Sequence, residues 1–245
     1  MKESYLIPEF RETVHRRFPE REAELNAAFE KRIAELRTES AGASKEKRQH
    51  LENQILPGIA IYETLQTAMP KEEALQTVHG YVEKRAWRLK GIILKLMRIP
   101  GLYKKVPGIF AKQTPKLFGT AAGFAATEIQ VTGGVWRIDM TRCPYHDTCV
   151  QYGCPELCPS FCDSDDITYD GMHPKLYWHR TKTLGRGDDC CDFCLKIAGE
   201  IRRCSGIRQH PHLYEPDRKG HDQQRVRRDR QGGRGLQARV HAGYI

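Results

Sequence analysis

The hydrophobic period of this chain changes once, and that change constrains the fold more than any other feature. Between Pro70 and Pro100 the apolar residues Leu75, Val78, Val82, Ala86, Leu89, Ile93 and Leu96 recur every three or four positions. That rhythm lays them along one stripe of an α-helix, opened by Pro70 and ended before Pro100. From residue 128 to 143 the period is two. EIQVTGGVWRIDMTRC alternates on both sides of Thr132-Gly133-Gly134, which predicts a hairpin. Helices first and antiparallel strands later define an α+β fold, a helical N-terminal part packed on a C-terminal antiparallel sheet with a cysteine-rich insertion.

The flanking segments extend this pattern. Residues 9–40 carry a helical stripe through Leu25, Phe29, Ile33 and Leu36, and Ser44 is placed to cap the helix after the break at 41–43. Leu51, Ile55, Ile59, Tyr62 and Leu65 continue helically, with a kink or a fresh start expected at Pro57. Glu63 and His79 are expected on polar flanks of these helices. Residues 101–125 are cut by Pro107 and Pro115, so short pieces crossing the apolar face of the sheet are expected. A strand over 175–183 sets Leu176, Trp178 and Arg180 on one face; a turn at 185–189 and a closing strand over 190–197 follow.

At 245 residues the chain can bury its own core without disulfides. Its formal net charge of +9 is unevenly spread. Residues 201–245 hold 11 of the 40 Lys/Arg and 4 of the 31 Asp/Glu, so that segment carries +7 and the first 200 residues only +2. The domain reading is therefore one α+β unit over 1–200, helical over 9–125 and sheet plus cysteine-rich part over 126–200. Residues 201–245 have no sustained period and read as a disordered basic tail, or as an out-of-frame end of the gene. Nucleic acid is an expected partner only through that tail. The most apolar stretch, 91–110, is interrupted by Lys95, Arg98, Pro100, Lys104, Lys105 and Pro107, so no membrane span is expected there. The N-terminus is charged from its second residue and lacks an apolar signal core, which points to the cytoplasm.

Eight of the nine cysteines lie between residues 143 and 194: Cys143, Cys149, Cys154, Cys158, Cys162, Cys190, Cys191 and Cys194. In a reducing compartment such thiols are metal ligands, reactive groups or packing residues. Only Cys191 and Cys194 have the C-x2-C spacing of a zinc knuckle. A divalent metal or an iron–sulfur cluster would draw on Cys154, Cys158, Cys162 and Cys191. Nucleophilic catalysis is the other reading. Cys143 ends a strand, Pro144 suits a first helical turn, and Arg142 and His146 are near enough in sequence to lower a thiol pKa. Cys149, Cys158, Cys190 and Cys194 are taken as packing residues, and Asp163 and Asp165 as solvated caps.

The strings CPY at 143–145, GCPEL at 153–157, Cys162 and Asp165-Asp166, followed by L-x-W-x-RTKTLG-x-G-x3-CDF at 176–193, resemble the L-2-amino-thiazoline-4-carboxylic acid hydrolase family. The likeness begins near ILPGIAIYETL at 55–65. It implies hydrolytic opening of a small cyclic amidine at a C–N bond, towards carbamoyl-cysteine and L-cysteine, with a small-molecule substrate. The matched positions are Cys143, Pro155, Glu156, Cys162, Asp166, Arg180, Thr183, Cys191 and Asp192. The chemistry needs a cation for the substrate carboxylate, for which Arg180 with Thr183 is the choice. It also needs a carboxylate for the amidine (Asp166 or Asp192) and a nucleophile or base among Cys143, Cys162, Cys191, Glu156 and His146.

Overall fold

The computed structural model describes residues 3–199, so the expectations for 201–245 lie outside the described residues. The helical stretch expected over 9–40 is made of two helices, α1 (Leu6–Arg17) and α2 (Glu22–Glu39). The cause is Pro19, which cannot donate to the preceding turn, so the chain bends at Phe18 through a short 3-10 turn. Ser44 caps α3 (Lys45–His50) as expected, its hydroxyl accepting the Lys47 N–H at 3.1 Å. A fresh α-helical start falls at Pro57 as expected: a π-turn over Leu51–Ile55 gives way to α4 (Leu56–Gln66), which carries Pro57 in its first turn. Helix α5 (Lys71–Leu96) follows Pro70 and stops before Pro100, as its period predicts.

Helix α4 is apolar on every side, and that places it at the centre. Leu56, Ile59, Ile61 and Leu65 have no exposed surface. Burial of side chains of this size contributes roughly 1.5–3 kcal/mol each. The charged groups stay at the rim: Glu63 pairs with Arg32 at 2.6 Å, and His79 faces Glu83 at 3.6 Å.

Residues 101–125 come in short pieces as expected, but the prolines do not cut them: α6 (Val106–Leu117) holds Pro107 in its first turn and Pro115 in its last, between 3-10 turns over Leu102–Lys105 and Thr120–Ala122. Pro107 sits where its missing N–H has no intrahelical acceptor to lose. Helix α6 lies on the sheet, and the Trp136 indole N–H donates to its Thr114 Oγ1 at 3.0 Å. The expected hairpin is present as β1 (Ala125–Thr132) and β2 (Val135–Arg142), joined by Gly133-Gly134. The cysteine-rich segment is not irregular: it makes α7 (Pro144–Gln151) and α8 (Cys158–Tyr169). Strand β3 (Leu176–His179) is shorter than expected, and β4 (Cys191–Ile197) closes an antiparallel sheet in the order β1-β2-β4-β3.

Two hydrophobic clusters result. One joins α1, α2, α4 and α5 to Cys149, Cys154, Leu157, Cys158 and Phe161. The other lies between α6 and the sheet, around Trp136, Ile138, Met140, Leu176 and Leu195. Tyr145, at the start of α7, packs against both. No helix among the described residues is long and apolar enough to cross a membrane.

Candidate active site

A cavity of about 550 Å³ opens between the two clusters, walled by α3, α5, α6, α8 and the sheet. Each of its polar groups arrives for a local reason. Strand β2 ends at Cys143, where Pro144 starts α7 and delivers Tyr145 one residue later. Helix α8 presents Cys162 and Asp165, three residues apart and thus on one side. Beyond β3 comes Arg180, and the first residue of β4 is Cys191. All six of these side chains line the cavity.

Arg180 is the most enclosed cation, its side chain only 2 % exposed. Its Nη2 donates to the Cys162 carbonyl at 2.9 Å and to Asp166, while Phe193 lies under the guanidinium at 5.2 Å. Burial opposes the charge of Arg180, but Asp166 and Asp165 outweigh it. The Nη1 group is buried without a hydrogen-bond partner, 3.9 Å from Asp165 Oδ2.

Asp165 corrects the expectation of a solvated cap. It sits deep in the fold, where burial pushes its pKa up to about 7 against the lowering effect of Arg180, and the Asp166 charge raises it further. Its side chain nevertheless keeps 42 % of its accessible surface. Since Asp165 lines the cavity, that surface is open to a bound molecule rather than to bulk water.

The thiols also differ from expectation. Burial raises the Cys143 pKa to about 12, although the backbone N–H groups of His146 and Tyr145 work against it. No capping hydrogen bond forms at that helix end, so the two amides are a minor counterweight. Cys191 rises to about 11 through burial, with the Leu184 N–H donating to its sulfur at 3.3 Å. Cys162 is pushed up strongly by its hydrogen bond with Cys158 and then by burial. A thiol row Cys154–Cys149–Cys158–Cys162 runs into the cavity through such contacts. Gly185 closes over it: a Cβ there would stand 2.9 Å from the Cys158 sulfur and 3.1 Å from that of Cys162. The lowered thiol pKa expected at Cys143 is therefore reversed, because enclosure in the protein outweighs two amide dipoles.

The remaining site candidates stand outside the cavity lining. The His146 ring faces Asp147 at 3.6 Å. Glu156 accepts the Tyr62 hydroxyl and Lys71 Nζ, each at 2.8 Å; burial would raise its pKa, but these partners lower it. Asp166 accepts the Trp178 indole N–H at 2.8 Å and holds Arg180 from behind. Asp192 accepts the N–H groups of Thr181 and Lys182 at 2.8 and 2.7 Å, tying that loop to β4. Thr183 is buried; its N–H donates to Asp188 at 2.7 Å and its hydroxyl has no partner. Among the described residues no group of three or more His, Cys, Asp or Glu is arranged to hold a metal ion, and Cys154, Cys158, Cys162 and Cys191 do not converge on one.

Sequence reasoning missed two further lining residues, His50 and Arg85, and the role of Asp165. His50 Nε2 donates to the Leu117 carbonyl at 2.7 Å, which leaves Nδ1 to accept the Tyr145 hydroxyl at 3.2 Å. Burial lowers the His50 pKa and favours that neutral form. Arg85 stacks over Tyr5 at 4.3 Å at the α5 side of the cavity. Asp165 could have been found, since Asp165-Asp166 is one of the motif strings. His50 and Arg85 carry no such local signal.

Taken together, these features define an α+β protein with a largely apolar cavity in which a carboxyl pushed up to about 7 lies 3.9 Å from a buried guanidinium. The sequence model of the family described as L-2-amino-thiazoline-4-carboxylic acid hydrolase matches residues 48–195, more than half of the chain, and the chain belongs to that family. Neither the curated proteins nor the solved structures contain a match.

Proposed function

We propose that this chain is a hydrolase that opens a small cyclic amidine, of the 2-amino-thiazoline-4-carboxylate kind, at a C–N bond. The observation that carries the reading is Asp165, a carboxyl in a cavity with its pKa near 7 and a buried arginine beside it. A group half-protonated at neutral pH can take a proton and return it within one turnover. Asp165 accepts a proton from water as the water oxygen bonds to the amidine carbon. The C=N π pair moves onto the ring nitrogen, which Asp165 protonates; the adduct's hydroxyl proton then passes through the same carboxylate to that nitrogen as C–O becomes C=O and the C–N bond breaks. One water is consumed, one C–O bond forms, and the product is a carbamoyl-cysteine with a free amine.

Arg180 Nη1, the buried donor without a partner, offers its N–H to the substrate carboxylate or to the developing oxyanion. Asp166 positions that arginine. Cys143 and Cys191, raised to about 12 and 11, stay as thiols at neutral pH, which favours water over a thiolate as the nucleophile.

The test is to incubate the purified protein with 2-amino-thiazoline-4-carboxylate and follow products by mass spectrometry and a thiol reagent. Addition of one water without release of a free thiol is expected. Release of a thiol would place the cleavage at C–S, and no ring opening across a panel of thiazolines and cyclic amidines would overturn the hydrolase reading.

A further inference from the structure

The cavity is too large and too apolar for the small substrate that its polar groups suit. A molecule of about nine heavy atoms, at the roughly 30 Å³ that a water occupies in the liquid, fills about half of the 550 Å³ present. The groups suited to the head form one cluster: Arg180 lies 3.9 Å from Asp165 and donates to the carbonyl of Cys162, one turn earlier on α8. The rest of the lining is mostly apolar, with Gln49, His50, Asn53, Gln54, Arg85 and Gln113 also bordering it. Phe110 meets Trp136 and Tyr169 at 5.1 Å, and Phe118 meets Phe124 at 5.2 Å. Leu89 from α5 and Ile109, Leu117 and Phe118 from α6 line the cavity yet remain 38–47 % exposed. They form an apolar rim between the two helices. Beyond it, Ile92 and Leu96 continue the Leu89 stripe along α5 at helical spacing, 56 % and 48 % exposed.

We infer that the physiological ligand of this site is a single-chain amphiphile: a cyclic amidine or related polar head at Asp165 and Arg180, bearing one unbranched apolar tail that runs out between α5 and α6. The inference rests on the hydrolase reading for the identity of the head alone. The unfilled half of the cavity, at the same volume per heavy atom, takes a tail of about eight to ten carbons. Such a tail suits a lining whose apolar part includes Phe110, Phe118, Phe124 and Trp136. It also explains why the rim side chains stay exposed instead of folding over the opening, since a tail gains by contact with them.

The experiment uses the full chain and thiazoline-4-carboxylates carrying N-linked alkyl groups from methyl to decyl on the 2-amino nitrogen. Binding is read from the fluorescence of the cavity residues Trp136 and Trp178. Affinity should rise about three- to fourfold for each added methylene, the gain expected for burying that group, and level off near eight to ten carbons. Leu89→Glu, or Phe118→Asp should the first fail to fold, should flatten the series and leave the affinity of the unsubstituted head unchanged. A series that is flat in the native chain, or equally steep in both variants, overturns the inference. Ring opening of the unsubstituted head with no gain from the tail sinks the amphiphile and spares the hydrolase. Chain-length-dependent binding with no member opened does the reverse.

Discussion

Replacing Asp165 by Asn tests the site through both stability and chemistry. In the folded protein burial lifts this carboxyl from its ordinary value near 3.8 to about 7. A carboxyl with a raised folded pKa favours folding at low pH. That contribution is complete below the unfolded value, fades as pH rises from about 4 to about 7, and is absent above. At about 1.4 kcal/mol per pH unit, the shift corresponds to at most about 4 kcal/mol. The side chain keeps 42 % of its surface toward the cavity, and water there screens the charge, so a loss of about 1–2 kcal/mol is expected. Asn cannot ionise and escapes it. Urea midpoints of Asp165→Asn and the native chain should coincide near pH 4 and diverge to about 1–2 kcal/mol in favour of the variant by pH 7.5. The same variant should lose turnover by about 10²–10⁴-fold, the usual worth of a general acid–base. A stability difference that is independent of pH, or that favours the native chain at pH 7.5, refutes the assignment of a buried, proton-binding Asp165.

Other substitutions separate the groups that face the cavity from those that only support it. Cys143→Ser should keep kcat/KM within about tenfold, because a thiol with a pKa near 12 is not the nucleophile; abolished turnover in a folded variant would restore the thiolate. Arg180→Lys cannot satisfy Asp166 and the Cys162 carbonyl with one compact charge, so about 2–3 kcal/mol of stability and most turnover should be lost, read by urea melts and initial rates. Glu156→Gln should cost less than about 1 kcal/mol and leave kcat unchanged, since its ion pair with Lys71 lies outside the cavity. Gly58→Ala would place a Cβ 2.7 Å from Phe161 Cζ. Alanine gains about 1 kcal/mol of helix propensity and overpacking costs about 1–3. Because Phe161 can yield only toward the cavity it lines, a several-fold rise in KM with little change in melting temperature is expected.

Local periodicity made much of the fold legible. The stripe from Leu75 to Leu96, the Gly133-Gly134 hairpin and the Ser44 cap are properties of a few consecutive residues, and each appears where its spacing puts it. The site was legible in its motif strings, yet their chemical roles were not. Cys143 sits beside Arg142 and His146 in sequence, and in the fold Arg142 turns to Asp147 and His146 offers little but its amide. Asp165 and Asp166 are adjacent in sequence, but only Asp165 lines the cavity while Asp166 braces Arg180.

The sequence alone therefore determined the α+β class, the helical and strand segments, and the family to which the chain belongs. Tertiary structure decided which titratable groups face the cavity, which way their protonation is biased, and how much apolar space lies beyond them. The physical reason is range. Periodicity and capping act over one or two turns of chain, whereas desolvation and charge–charge coupling depend on what packs around a side chain from elsewhere. At Asp165 burial and the Asp166 charge push the carboxyl up to about 7 against Arg180, a residue brought from beyond β3 that no local pattern around Asp165 announces.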